Sequence, residues 1–138
     1  MAETSAARRA IDSLNAEFTT HFNQAHASVL ASYYTEAGVL MAPNAPAGNG
    51  RAAIQAAFEG LMVMKPQLTL AVQSVVANGP LAIARGTYSM AFTPPGAPGP
   101  ITDTGKVLVH WEEVGGRWLM VADMFNSDLP PPPAGPAH

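Results

Sequence analysis

The chain contains no cysteine. Disulfides, thiolate metal ligands and thiol nucleophiles are therefore excluded, and a reducing compartment is compatible. Charge is also sparse: charged residues make up 12% of the 138, against 48% hydrophobic, and the net charge is −3. Arg8 and Arg9 are the only adjacent cations, so the chain has no electrostatic footprint for nucleic acid. Residues 66–84 lack charge, but "QSVVANGP" interrupts them with polar residues, glycine and proline, which fits two strands and a turn and not a membrane span. The opening "MAETSAARRAIDSL" has no apolar signal core, and the expected location is the cytoplasm. The four histidines are too scattered for a metal site; His21 and His26 are five apart, off any single helical face, with no carboxylate–histidine motif. "GNGR" is a lone glycine pair entering a helix, not a phosphate loop, and no serine sits in a nucleophile elbow. No metal and no cofactor are expected.

What is present suits one domain with a real core. The composition is too apolar for a disordered chain and charge-poor for the surface of a monomer, which implies apolar surface covered by a second copy. Ile11, Leu14, Phe18 and Phe22 recur at 3, 4 and 4 residues, one face of a helix that Thr4 or Ser5 could cap. "ASVLASYYTE" reads as a second short helix with Val29, Leu30, Tyr33 and Tyr34 on its apolar side, ended by Gly38 and followed by a strand at "VLMA". After the loop "PNAPAGNG", a third helix carries Ile54, Phe58, Leu61 and Met62, with Pro66 as its stop. The period then changes to two. "QLTLAVQSVV", "LAIARGTYSMAF", "TGKVLVHWEEV" and "RWLMVADMF" read as four strands joined by "NGP", "TPPGAPGP" and "GG". The expectation is an α+β domain over residues 1–129: a curved, mostly antiparallel sheet wrapped around three helices. Residues 130–138, "PPPPAGPAH", form a proline-rich tail.

One residue interrupts the last strand. In "WLMVADMFNSD", Asp123 stands where another aliphatic would fit, and alternation puts Val121, Asp123 and Phe125 on one face. A carboxylate in apolar surroundings is costly to ionise unless a partner compensates it. Arg85, the only cation inside its strand, is the natural partner in a purely structural reading; backbone amides or Tyr88 could also satisfy the group. His110, beside Trp111, is either a second acid or base or a residue of a half-exposed face or dimer interface. Of the adjacent Tyr33 and Tyr34, one packs in the core and the other rims a pocket or an interface.

The phrases "SYYTEAGVLMAP", "GNGRAAIQAAFEGL" and "GGRWLMVADMFNSDLP", in this element order, resemble the SnoaL-like and ketosteroid-isomerase-like branch of the nuclear transport factor 2 (cystatin-like) superfamily over roughly residues 8–129. The resemblance implies a cone with a pocket at its open end and a homodimer through the outer sheet face. It also implies where an isomerase would hold its catalytic groups, and here they are Phe18, Ala42 and Val107. Phe18 has no proton to donate, Ala42 cannot abstract one and Val107 offers no hydrogen bond, so no steroid isomerase activity is expected. SnoaL-like cyclases use an Asp near the end of the chain as acid/base, and Asp123 matches it, with Arg85, Tyr88 or His110 assisting. Limonene-epoxide-hydrolase-type relatives use an Asp–Arg–Asp set, for which Arg85 and Asp123 supply two members; Asp103 lies at the loop end of its strand and leaves the third unfilled. Phe18, Tyr34, Ala42, Phe58, Tyr88, Val107 and Phe125 are the expected wall of a site for an apolar small molecule. Two functions remain open: an acid/base isomerase, cyclase or hydrolase on such a ligand, and a non-catalytic binding or association module built on the same cone. An open cavity reaching Asp123 favours the first; a collapsed cone with Asp123 bonded to Arg85 favours the second.

Overall fold

The structure is a computed structural model describing residues 2–130; of the proline-rich tail, residues 131–138 lie outside the described residues. Helix α1 (Ala2–Asn23) is followed by the single turn α2 (Ala27–Ala31), strand β1 (Tyr34–Met41), the two-residue β2 (Gly48–Asn49), helix α3 (Arg51–Met62) and four long strands. These are β3 (Gln67–Asn78), β4 (Leu81–Phe92), β5 (Ile101–Val114) and β6 (Arg117–Ser127). All six strands form one sheet in the order β2-β1-β6-β5-β4-β3, antiparallel except where β1 runs parallel to β6. The α+β architecture expected from the sequence is present, with its helices on the concave face.

Helix α1 buries Ile11, Phe18 and Phe22 of the stripe read from the sequence, together with Ala7, while Leu14 is partly buried against the same core. Its polar side chains have a second task. Strand β3 is an edge, and edge strands leave backbone groups unpaired. Thr4 exchanges hydrogen bonds with the backbone of Ala77 (3.2 and 3.4 Å), Arg8 Nη2 donates to Val72 O (2.9 Å), and Asn23 pairs with Leu68 through both its amide groups (2.6 and 3.2 Å). Thr4 thus lies inside the helix and clamps β3; it does not cap α1.

The second helix is a correction. It ends at Ala31, and Tyr34 opens a strand. The apolar residues of "SVLASYY" suit either period; the deciding contact is 89 residues away, where β1 lies beside β6 and Tyr34 meets Asp123. The β1–β6 register breaks between Tyr34 and Val39, and Gly38 sits within this irregular stretch, where an added Cβ would press Thr35 O and Tyr34 Cβ at 3.0 Å. The Tyr34 carbonyl is taken by Arg51, whose Nε and Nη2 donate to it at 2.9 and 2.8 Å from the first turn of α3. Helix α3 then ends at Met62, before Pro66.

Two bulges shape the sheet, one at Val72/Ser74 and one opposite His110/Trp111. Bulges bend strands and raise their twist. Two glycines permit close approach of neighbouring strands, Gly86 beside the first bulge and Gly105 farther along β5. A Cβ at Gly86 would stand 2.2 Å from Ala71 O, and one at Gly105 would stand 2.2 Å from Asn126 O and 2.6 Å from the Tyr88 ring. The second bulge also changes which β6 residues face inward. Trp118 and Met120 are buried before it, Asp123 after it, so Met120 and not Val121 shares the inner face with Asp123 and Phe125.

Candidate functional site

The concave face encloses a cavity of about 90 Å³ between α1, α3 and the sheet. Phe18, Phe58, Tyr88, Val107 and Phe125 are in its wall, as the sequence places them, and Leu40, Trp111 and Met120 complete the part around Asp123. Phe18 is the aromatic hub: its ring lies edge-on to Tyr33 and Phe58 at 5.7 and 6.0 Å and stacks on Phe22 at 6.3 Å. Ala42 is half-buried just beyond β1 and outside the wall, because Leu40 supplies the inward side chain of that strand end.

Asp123 is the one charged group in the wall that is buried. Its strand alternation aims it inward, opposite Val109 of β5 and Leu40 of β1. Tyr34 Oη donates to Asp123 Oδ2 at 2.6 Å, a short, charge-assisted geometry. Tyr34 is fully buried and stands behind the wall, not in it. Among the described residues Oδ1 has no protein hydrogen-bond partner. Burial pushes the Asp123 carboxyl up from 3.8 to about 6, and the Tyr34 hydrogen bond opposes that rise without cancelling it. Tyr34 is itself pushed well above the ordinary tyrosine range, first by burial and then by the neighbouring carboxylate. Its proton therefore stays on oxygen and holds Oδ2 in place, leaving Oδ1 as the oxygen that Tyr34 does not engage.

The expected Asp123–Arg85 pair does not form. In β4, Ala82, Ala84, Gly86, Tyr88 and Met90 are the buried positions, so the Arg85 side chain is on the exposed face, where Nη1 donates to Gln73 Oε1 at 3.3 Å. His110 is likewise out of reach. Val109 and Trp111 face inward, which puts His110 between them on the outer face, half-buried and outside the cavity wall. Neither residue assists Asp123.

A second tyrosine–aspartate pair lies along the same face. Tyr88 Oη donates to Asp103 Oδ2 at 2.8 Å, Ser127 Oγ donates to Asp103 Oδ1, and Leu129 N donates to Ser127 Oγ at 3.0 Å. Burial, then Asp103, push the Tyr88 hydroxyl upward. Gly105 leaves the space that lets the Tyr88 ring cross β5 to reach Asp103. Asp103 thus anchors the chain end and does not join Arg85 and Asp123 in a water-activating set.

His21 and His26, expected apart, are in contact: their Nδ1 atoms are 3.0 Å apart, because the chain reverses after α1 through Ala25 at φ 62°. Among the described residues no group of three or more His, Asp or Glu could hold a metal ion. Also among the described residues, no helix is long and apolar enough to cross a membrane.

A SnoaL-like domain matches residues 15–121 of the chain. Among curated proteins none matches. Solved structures resemble it over most of its length. A provisionally named scytalone dehydratase from Novosphingobium aromaticivorans is 18% identical, covers 94% of this chain and 89% of its own, and superposes with a TM-score of 0.82. A ketosteroid isomerase-like protein from Erwinia carotovora atroseptica is 20% identical over 94% and 96%, with a TM-score of 0.75. A provisionally named calcium/calmodulin-dependent protein kinase II association domain from Xanthomonas campestris is 17% identical over 85% and 84%, with a TM-score of 0.73. At these identities the likeness establishes the fold alone.

Proposed function

The chain belongs to the SnoaL-like domain family, and from that premise we propose that it binds a small apolar molecule in the cone and moves a proton on it through Asp123. The observation that carries this reading is the geometry of the carboxyl: buried in an apolar cavity wall, held through Oδ2 by Tyr34, and free at Oδ1. A carboxyl with a pKa of about 6 can take a proton near neutrality and return it in the same cycle. The reaction class is isomerisation, cyclisation or hydrolysis with Asp123 as acid/base and Tyr34 as its positioning residue. Phe18, Phe58, Tyr88, Val107 and Phe125 contact the ligand. Steroid isomerisation is not proposed, since the wall has apolar Phe18 and Val107 where an isomerase needs donors.

A screen of small apolar carbonyl and hydroxyl compounds tests the reading, with wild type and Asp123→Asn followed for both binding and turnover. A compound bound by both and converted only by wild type is the expected result. Conversion at equal rates by the variant removes Asp123 from the chemistry. Binding without conversion throughout the screen favours a non-catalytic module.

A specific observation gives that second reading substance. Val76, Ile83, Leu108 and Met124 are exposed together on the outer sheet face, where the register sets Val76 beside Ile83 and Leu108 beside Met124. A second copy of the chain is the occupant we propose for that face. The similarity to a protein named as an association domain supports the same use of the surface. The two readings are compatible, because the cavity is lined by the opposite face of the sheet from the patch.

A further inference from the structure

The seam between α1 and β3 is bonded at its ends and open in its middle. Arg8, Asp12, Asn15, Thr19 and Asn23 recur at 4, 3, 4 and 4 residues, so one polar face of α1 is turned to the edge strand. Asn23 holds the backbone of Leu68, and Arg8 that of Val72. Leu70 lies between them, and its N–H and C=O point the same way, because alternate residues of a strand share a side. Among the described residues neither group has a partner on α1. A surface groove of about 420 Å³ occupies this gap. It meets the cavity across Asn15, Leu68, Leu70 and Val72, which line both. Asn15 is half-buried there, and among the described residues its carboxamide makes no hydrogen bond. Nor is that carboxamide occluded: among the described residues, the unpartnered side-chain polar atom without accessible surface is Trp111 Nε1.

Resting on the reading of the cone as a ligand site, we infer that the ligand is longer than the cavity: its apolar head lies against Asp123, and a neutral polar tail crosses the α1–β3 seam into the groove, held by the carboxamide of Asn15. Size argues for the crossing. The cavity of about 90 Å³ is well below the roughly 300 Å³ at which ordinary ligand sites begin. It takes one ring-sized group, and the remainder of a larger ligand has to continue past the wall. The seam is the part of the wall where unengaged hydrogen-bonding groups line the way out. An amide is the tail group that fits, since it both donates and accepts, as do the Asn15 carboxamide and the Leu70 backbone. Arg8, the cation of the groove, is already engaged by Asp12 and by Val72 O, so an anionic tail gains no free partner.

The test compares two probes on the full chain. Toluene fills the cavity alone; N-(3-phenylpropyl)acetamide adds an amide tail to the same ring. Wild type is expected to bind both, the amide more tightly. Asn15→Leu is expected to weaken the amide about tenfold and to leave toluene unchanged. Ala16→Phe is the second variant, at an exposed position that lines the groove and not the cavity. It fills the groove, and the same split between the probes is expected. If Asn15→Leu does not fold, Ala16→Phe carries the test. An amide bound equally well by wild type and both variants overturns the tail and leaves the ligand site intact. Parallel losses of the two probes place the substituted residues at the head and also overturn it. Binding of neither probe to wild type overturns the ligand site and the inference together.

Discussion

Asp123 loses its proton near 3.8 when the chain is unfolded and near 6 when it is buried against Tyr34. Between those values the folded state holds the proton more tightly, so folding takes up a proton and stability falls as pH rises through the window. The full penalty, on the order of 3 kcal/mol, is present above about pH 6 and absent below about pH 4. Asparagine stays neutral and still accepts from Tyr34 through its amide oxygen. Asp123→Asn is therefore expected to match wild type near pH 4 and to exceed it by about 1–3 kcal/mol at pH 7.5, measured by urea unfolding across the range. A loss of about 2 kcal/mol at pH 7.5 instead identifies the carboxylate as a structural group, and the acid/base reading fails. The anomaly of this aspartate was legible from an apolar strand alone. Its partner was not, because Tyr34 lies 89 residues earlier and local spacing reads it as helical. The facing of Arg85 and His110 was only half legible. Small or apolar residues alternate around each, at Ala82, Ala84 and Gly86 and at Val107, Val109 and Trp111. Yet the period alone does not decide their side, because Leu81 and Ile83 share Arg85's face of β4 and Leu108 shares His110's face of β5, so apolar residues lie on both faces.

At the scale of elements, the sheet depends on two positions where nothing larger than hydrogen fits. Gly105 lies where β5, β6 and the Tyr88 ring converge, and a methyl group there meets Asn126 O at 2.2 Å and Tyr88 Cε1 at 2.6 Å. Either β5 parts from β6 or Tyr88 leaves Asp103. Gly105→Ala is expected to cost about 2–4 kcal/mol in denaturant unfolding. Gly60→Ala is the control, exposed on α3 with nothing within 4 Å of the added carbon; it is expected to be neutral or to add up to about 1 kcal/mol. Equal effects at the two sites remove the steric account of the sheet. The strands themselves were readable: β4 spans the residues of "LAIARGTYSMAF", and β5 and β6 flank the "GG" turn, because a period of two between turn residues is a local signal. The bulges were not readable. Each is fixed by how neighbouring strands align, and the one opposite His110/Trp111 reverses the facing of half of β6, so Met120 replaces Val121 on the inner face.

At the scale of the molecule, the scarcity of charge acquires a location. The exposed face of β3 to β6 carries Val76, Ile83, Leu108 and Met124 at 63, 43, 52 and 48% exposure. Their register makes two apolar pairs, Val76 beside Ile83 and Leu108 beside Met124, with Arg85 and His110 at the junction between them on the same face. A standard interface takes about 800 Å² from each partner, roughly a tenth of the 7886 Å² that this chain exposes. A two-fold contact needs a self-complementary surface; apolar side chains can face their own copies without charge matching, and Arg85 on the same face bonds Gln73. Leu108→Lys places a cation among these apolar side chains. Since Leu108 already meets solvent, the fold is expected to survive, with an unchanged circular dichroism spectrum and unchanged ligand binding at Asp123. Sedimentation at tens of micromolar is expected to report a dimer for wild type and a monomer for the variant. A dimer that persists in Leu108→Lys combined with Met124→Lys puts the contact on another face, and a monomeric wild type ends the proposal. The location of the patch also separates the two functions physically: association through the convex face leaves the concave cavity, with Asp123 and Trp111 in its wall, accessible to a small molecule in each copy.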